Sequence, residues 1–411
     1  MTKPICRFCE TSLEHTFADL GMSPLANSYL KPEQLNQMER FYPLHVYVCH
    51  TCMLVQLQEF ETPQDIFSDY AYFSSFSDTF LAHAKSYVEM AIDKFQLTGK
   101  SHVVEVASND GYLLQYFAER GIPVLGIEPA ANVAKVAMEK GITSVVKFFG
   151  TQTAHELVAE GRQADLLIGN NVLAHVPQLN DFVAGLKVLL AQTGVITMEF
   201  PHLLRLIGDK LFDTIYHEHF SYFSLHSVSQ VFEKQGLTIF DVEEVQTHGG
   251  SLRIYAQHAD QGGRLISDRI QELRSRERAA GFQTLDSYLT FAGQIAAAKR
   301  SLLAFLIEAK NNGKVIAAYG APAKGNTLLN YCGVRTDFIE YTVDRSPYKQ
   351  GHFLPGCHIP IMSPEHVRET KPDFLLILAW NLKDEVMEQM AFIRSWGGKF
   401  VVPLPDVKVY P

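Results

Sequence analysis

No uninterrupted apolar run of about 18 residues occurs in this sequence, so a membrane-spanning helix is not expected. The opening "MTKPICRFCE" lacks the apolar core of a secretory signal, which points to a cytoplasmic protein. Basic residues are in deficit. Lys and Arg number 36 against 45 Asp and Glu, for a net charge of −9. Broad nucleic-acid binding normally leaves a basic footprint, so neither a nucleic acid nor a membrane is an expected partner. A small anionic ligand held by a few local donors stays open. The dinucleotide fingerprint with three glycines is missing, as is the His-Glu-x-x-His helix of many zinc enzymes. Tandem repeats and low-complexity linkers are absent as well.

Cysteine is scarce, and its placement is uneven. Of six cysteines, four fall in the first 52 residues as Cys6-x-x-Cys9 and Cys49-x-x-Cys52, while Cys332 and Cys357 stand alone. In a reducing compartment this pairing reads as metal binding. Four thiolates can enclose zinc tetrahedrally, and a site so filled has no open position, so the ion is expected to be structural. The surrounding segment has too little core to be stable unaided.

The rest of the chain is that of a soluble globular protein, with 47% apolar and 20% charged residues among 411. That length suggests two or three domains. From about residue 75, "HVVEV", "PVLGIEP", "ADLLIGNNVLAHV" and "GVITMEFPH" are strand-length apolar runs separated by helical segments. A second series, "KVIAAYG", "FIEYTVDRSP", "DFLLILAWN" and "KFVVPLP", follows a mostly helical stretch over 264–311. The alternation predicts an α/β protein with two doubly wound, Rossmann-like units. The expected boundaries are a zinc-binding module over 1–70, a central domain over 71–262 and a C-terminal domain over 263–411.

Three stretches carry candidate chemistry. In "VVEVASNDGYLL", Ser108, Asn109, Asp110 and Gly111 form the turn from a strand into a helix, where backbone N–H groups can meet a ligand. Seventeen residues on, Glu128 ends the next strand, in a position to accept both hydroxyls of a ribose. This spacing suits S-adenosylmethionine better than NAD, with Glu105 placed toward the cationic methionine end. The second stretch is "FDTIYHEHFSYFS", residues 212–224. If extended, it would put Tyr216 and Glu218 on one side and His217 and His219 on the other. A neutral imidazole is a suitable base for a proton beside a ketone. A packed aromatic core with one hydrogen-bonded histidine reads the same spacing equally well. The third stretch, "YGAPAKGNTLLN" with Asp344 beyond it, offers Gly320, Lys324 and Asn326 around a helix N-terminus, a ready site for a diphosphate.

Together with "CRFCE", "CHTC", "NNVLAHV" and "THGGSLR", these stretches resemble, over essentially the whole chain, the S-adenosylmethionine-dependent sugar C-methyltransferases. That family methylates keto sugars carried on a nucleoside diphosphate, usually thymidine diphosphate (TDP). The resemblance implies His219 as the base, with Tyr216 and Glu218 as companions and His175 and Tyr70 completing the pocket. His175 or Tyr222 would stabilise an enolate, and Glu218 or a neighbour would orient the imidazole. Around the cofactor it implies Glu105, Ala107, Ser108, Asn109 and Gly111, then Tyr112, Glu128 and Pro129, with Asn170 and Asn171 opposite. Around the sugar nucleotide it implies Tyr72, His202, His248 and Gly249. In the C-terminal domain it adds Gly320, Ala323, Lys324, Asn326, Asp344 and Asn381. Two departures stand out. Ala107 occupies a position where glycine is common, and His217 stands where an acidic residue usually precedes Glu-His.

The implied reaction removes a proton from C3 of a 4-keto-6-deoxy sugar and methylates the resulting carbon. Competing readings are an O- or N-methyltransferase on a sugar nucleotide, an NAD-dependent oxidoreductase using residues 320–344, and a zinc-module scaffold that binds RNA or protein. The deoxygenation pattern of the sugar, its stereochemistry and the oligomeric state are not legible.

Overall fold

The structure is a computed structural model that describes residues 4–62, 64, 74–76, 78–260 and 263–411. Three sheets organise it. The first begins with β1 (His15–Ser23), β2 (Tyr42–Val48) and β3 (Val55–Leu57), an antiparallel meander. The second contains β4 (Val103–Val106), β5 (Val124–Ile127), β6 (Ser144–Val145), β7 (Ala164–Asn170) and β8 (Leu190–Pro201). After β9 (Ser221–Tyr222), the chain returns to it with β10 (Leu237–Val245) and β11 (Ser251–His258). Its order is β10-β11-β8-β7-β4-β5-β6, parallel from β8 to β6, with β11 antiparallel to both its neighbours. Helices cover both faces, so β4 is buried at every position and reads as continuous rather than alternating hydrophobicity.

The third sheet comprises β12 (Ile316–Tyr319), β13 (Thr342–Val343), β14 (Ile361–Met362), β15 (Phe374–Ile377), β16 (Lys399–Val402) and β17 (Lys408–Tyr410). Its order is β14-β13-β12-β15-β16-β17, with only β17 antiparallel. Both α/β sheets reverse direction of strand order beside their first strand, between β4 and β7 and between β12 and β15. In open α/β sheets, ligands bind outside the carboxyl ends of the strands at such points.

The three sheets share packing. Strand β9, the end of the Tyr-His-Glu-His stretch, pairs with β3, matching Val55 to Tyr222 and Gln56 to Ser221. The zinc module's sheet is thus completed by a segment over 160 residues away in sequence. The helix Phe291–Asn311 buries a stripe of Phe291, Ile295, Ala298, Leu302, Leu306 and Ala309, at the three- and four-residue spacing of one helix face. Phe291 stacks on Phe17 of β1 with centroids 4.7 Å apart. Burying such a ring contributes about 1.5–3 kcal/mol. One continuous core runs through β1, residues 203–222, this helix and the third sheet. Among the described residues, no helix is long and apolar enough to cross a membrane.

Candidate active site

The four paired cysteines come together. Sγ–Sγ distances are 3.6 Å for Cys6–Cys52, 3.5 Å for Cys9–Cys49 and 3.6 Å for Cys9–Cys52, and all four sulfurs lie within 4.8 Å of one another. A zinc–thiolate tetrahedron with bonds of about 2.3 Å sets its sulfurs about 3.8 Å apart, so the cluster fits that ion. Each pair sits on the same turn: Glu10 N donates to Cys6 O and Met53 N to Cys49 O, both at 2.9 Å. Glu10 and Met53 are left-handed, with φ of 64° and 57°.

A cavity of about 1120 Å³ opens where the α/β sheets face each other. The central domain's switch-point loops supply Ala107, Asn109 and Tyr112 after β4, Glu128 and Pro129 after β5, and Asn170 and Asn171 after β7. The C-terminal sheet supplies Ala323 and Lys324 after β12 and Asn381 after β15. Between them stand His175, Tyr216, Glu218 and His219. Fourteen of the residues expected from sequence therefore line one space.

At the first crevice, Glu128 receives Asn109 N on Oε2 and Ala130 N on Oε1, both at 2.9 Å. Its carboxylate ties two loops together and keeps lone pairs for further donors. Burial raises its pKa, while the two backbone N–H groups work against that rise. Glu105 is fully buried on β4, and neither of its oxygens has a hydrogen-bond partner among the described residues. Burial, then Glu128 and Asp110, raise its pKa well above the usual carboxylate range. An unpartnered carboxyl beneath a cofactor loop fits a ligand bearing a cationic end. Ala107, Asn109 and Asn171 all have left-handed backbone, at φ 58°, 50° and 55°. Such conformations cost of order 1 kcal/mol in non-glycine residues and cluster where a backbone must turn toward a ligand. Ala107 thus adopts a left-handed backbone that a glycine would take without strain. Ser108 and Gly111 lie behind the cavity wall. A Cβ on Gly111 would meet Ile142 Cγ1 at 3.0 Å, so glycine is needed there for packing as well as for its φ of 75°.

The segment 212–224 is not extended where it matters. Residues 217–218 form a turn, closed by His219 N donating to Tyr216 O at 2.9 Å. The two-sided alternation expected above is thereby corrected: Tyr216, Glu218 and His219 all reach the cavity. His217 instead packs between Tyr42 and Phe60, at centroid distances of 5.9 and 6.2 Å, and burial lowers its pKa to about 4. His219 Nδ1 lies 2.8 Å from Thr214 O. A carbonyl only accepts, so Nδ1 carries the proton and the neutral ring keeps its lone pair on Nε2. Thr214 O, rather than Glu218, orients the imidazole. The rings of Tyr216 and His175 flank it at 4.0 and 4.7 Å. Glu218 is held near Asn27, whose Nδ2 donates to Oε1 at 2.6 Å, and burial lifts its pKa to about 7. Tyr222 is buried in the β3–β9 pairing with its ring 6.1 Å from His219, outside the cavity lining.

The stretch "THGGSLR" acts through Glu199 at the end of β8. Arg253 Nη2 donates to Oε2 at 2.8 Å, Thr247 Oγ1 to Oε1 at 2.6 Å, and His83 Nε2 stands 3.1 Å from Oε2. Burial disfavours the charge on Glu199, yet His83 and Arg253 bring its pKa down to about 2. Gly249 gives clearance to the Trp380 ring. His202 requires correction. It is fully buried outside the cavity, and its Nε2 is 2.9 Å from Glu277 Oε1, a carboxylate that also caps Leu225 N and His226 N. Tyr70, Tyr72 and the side chain of His248 lie outside the described residues.

At the second crevice, Lys324 Nζ donates to Asn381 Oδ1 at 2.8 Å and lies over the Trp380 ring at 4.9 Å. Burial lowers its pKa, and Asp213 opposes that. Asp213 accepts from Trp380 Nε1 at 2.6 Å, and burial raises its pKa to about 6. Asp344 shapes the loop rather than lining the cavity, accepting from Ala321 N at 2.8 Å. Gly320 is likewise structural, with φ 93° and close approach to Pro322 and Ala379. Asn326 is fully buried, and its side-chain atoms have no hydrogen-bond partner among the described residues. Sequence reasoning missed Asn27, Thr214, Lys349 and Trp380. Each enters the site through tertiary contact, and no local spacing marks them.

Known families match all three parts of the chain. Residues 6–67 match a zinc binding domain, residues 80–242 a methyltransferase domain, and residues 246–405 a C-methyltransferase C-terminal domain. The chain is 34% identical over 411 residues to C-methyltransferase NovU of Streptomyces niveus, covering 100% of this chain and 98% of that one. Among solved structures, magnesium protoporphyrin IX methyltransferase of Synechocystis PCC 6803 with bound SAH is 18% identical. It covers 43% of this chain and 82% of its own, at a TM-score of 0.34. A SAM-dependent methyltransferase of Anabaena variabilis is 12% identical, covering 43% and 84% respectively at 0.35.

Proposed function

The chain belongs to the SAM-dependent C-methyltransferases, and from this premise we propose that it methylates C3 of a TDP-linked 4-keto-6-deoxy sugar. The observation carrying the substrate assignment is the shared cavity: two switch-point crevices open into it, with His219 between them. One crevice suits the cofactor. The other, with Lys324 and the helix N-terminus at Ala323, suits a diphosphate. Choice of the thymidine carrier rests on family resemblance.

A sugar carbon becomes nucleophilic only beside a carbonyl, so the chain must first remove a proton. His219 takes it on Nε2, while its Nδ1–H stays bound to Thr214 O and shares out the new charge. Glu218, near neutrality in its pKa, together with Tyr216 and His175, is positioned to donate to the developing enolate oxygen, and oriented donors of this kind are often the largest catalytic contribution. Glu128 holds the ribose hydroxyls, and Glu105 faces the cationic end. When bound, S-adenosylmethionine supplies the electrophilic methyl group that the carbanion takes up. The zinc ion supports the module and takes no part in the chemistry.

Calorimetry on protein loaded with S-adenosylhomocysteine tests the substrate class. TDP is expected to bind more tightly than UDP or GDP, with NAD silent. Binding of NAD, or of no nucleotide, would overturn the assignment of the second crevice.

A further inference from the structure

The zinc module contributes a side chain of its own to the reaction centre. Asn27 follows β1 in a tight turn, where Tyr29 N donates to Asn27 O at 3.0 Å. Asn27 lines the same cavity as Glu218 and reaches it across 191 residues of sequence, Nδ2 to Oε1 at 2.6 Å. Among the described residues it is the one hydrogen-bond partner of that carboxyl. Tyr29 stands behind it. The Tyr29 hydroxyl donates to Ala321 O at 2.6 Å and lies 3.3 Å from Asn27 Oδ1. Lys349 Nζ donates to the same Ala321 carbonyl at 3.0 Å and lies 3.6 Å from Asp344. The amide therefore sits between the loop after β12 and the carboxyl next to the proposed base.

We propose that Asn27 is a positioning residue of the reaction: its amide engages one oxygen of Glu218 and so fixes which oxygen of that carboxyl presents a proton to the substrate. This rests on the reading of Glu218 and His219 as the pair facing the sugar. Held by Asn27, Oε1 is an acceptor, and Oε2 is left to carry the proton. The hydrogen bond also favours the ionised carboxyl, so it holds the Glu218 pKa below where burial alone would put it. Among the described residues, the titratable groups close to Glu218 are Tyr216, His219 and Tyr29, with Lys349 and Asp344 acting on Tyr29. Of these, Tyr29 also touches Asn27, its hydroxyl 3.3 Å from Oδ1, and keeps its bond to Ala321 O in an Asn27 variant.

Asn27→Ala and the isosteric Asn27→Asp separate positioning from folding. The carboxyl band of Glu218 is followed by infrared titration of intact zinc-loaded protein, identified by its loss in Glu218→Gln. No substrate is needed. Removing a donor from the ionised form raises the pKa, so the band is expected to titrate about one pH unit higher in Asn27→Ala. In Asn27→Asp two adjacent carboxyls share one proton, and two steps replace the single one. With substrate, kcat of Asn27→Ala falls about tenfold, the limb of the pH–rate profile that follows Glu218 shifts with the band, and the KM for S-adenosylmethionine is unchanged. A Glu218 band and pH profile that overlay the wild type's in both variants would overturn the proposal, as would a uniform loss of rate without a shift. If the band moves but wild-type protein leaves keto sugar nucleotides unmethylated, the Asn27–Glu218 coupling stands and the substrate reading fails.

Discussion

His219→Asn is expected to lower kcat by about a thousandfold or more, with S-adenosylhomocysteine binding unchanged. Asparagine is the informative replacement. Its Nδ2–H can reproduce the 2.8 Å bond from Nδ1 to Thr214 O, so the segment keeps its shape. What it lacks is a basic nitrogen at the position of Nε2. Positioned general bases contribute about 10²–10⁴ in rate, and of the groups that flank the ring only His175, 4.7 Å away, is a second imidazole. Tyr216 lies tilted against the ring at 4.0 Å, and burial shifts Glu218 toward the protonated form, which donates. Glu105 and Glu128, proposed to hold the cofactor, sit on β4 and after β5, and no hydrogen bond between described residues links these strands to the 216–219 turn. Binding and chemistry should therefore separate cleanly in this variant. Calorimetry and single-turnover methylation check both halves. Turnover near the wild-type rate would remove His219 from the role of base.

Loss of zinc should be nearly as damaging, although the ion is remote from the chemistry. Cys49→Ser, or exhaustive chelation, is expected to reduce turnover at least about a hundredfold while the central domain still binds S-adenosylhomocysteine. A structural zinc site supplies about 10–16 kcal/mol of apparent binding free energy, and for a small module that energy is folding energy. The route from the ion to His219 is short. Gln56 Nε2 donates to Cys6 Sγ at 3.1 Å, and Gln56 belongs to β3, which pairs with Ser221 and Tyr222. Leu57 N donates to Phe220 O at 3.0 Å, next to the proposed base. Arg7, between the first two cysteines, donates to Pro177 O at 3.1 Å and lies 5.4 Å from the Phe220 ring centroid. Asn180 Nδ2 reaches Phe8 O at 3.0 Å, holding the first cysteine turn against the central domain. When the module unfolds, β9 loses its partner strand and Glu218 loses Asn27. Metal content, cofactor affinity and turnover, measured on one preparation, distinguish this from global unfolding. Retention of full activity in metal-free protein would show that β9 is ordered without the module.

Much of the architecture is legible because it is written in local pattern. "HVVEV" and "ADLLIGN" are buried on both faces, and their β-branched and aliphatic runs signal this without any partner being known. The two cysteine pairs signal the metal by spacing alone, and Glu128, expected at the end of its strand, lines the cavity just after β5. The strand fragments Ile361–Met362 and Ser221–Tyr222 are too short to show a period. Their pairing is set by tertiary contact. The alternation read into Tyr216–His219 fails for a related reason. A single turn bond reverses the sides, and no residue in "YHEHF" announces it. His202, expected at the sugar nucleotide, instead holds Glu277, which caps a helix 52 residues away in sequence. Asn27 is invisible from sequence because its role depends on a fold that carries the first sheet onto the second.

A carbon acid is expected to be ionised at His219 before any methyl group moves. Incubating the wild-type enzyme with a TDP-4-keto-6-deoxy sugar and S-adenosylhomocysteine in D2O isolates that step. Proton NMR should report loss of the C3 hydrogen signal with wild-type protein and its persistence with His219→Asn. Retention of that hydrogen by wild-type enzyme that still methylates in the presence of S-adenosylmethionine would contradict a free carbanion step. Exchange at an undiminished rate in His219→Asn would assign the base to another residue.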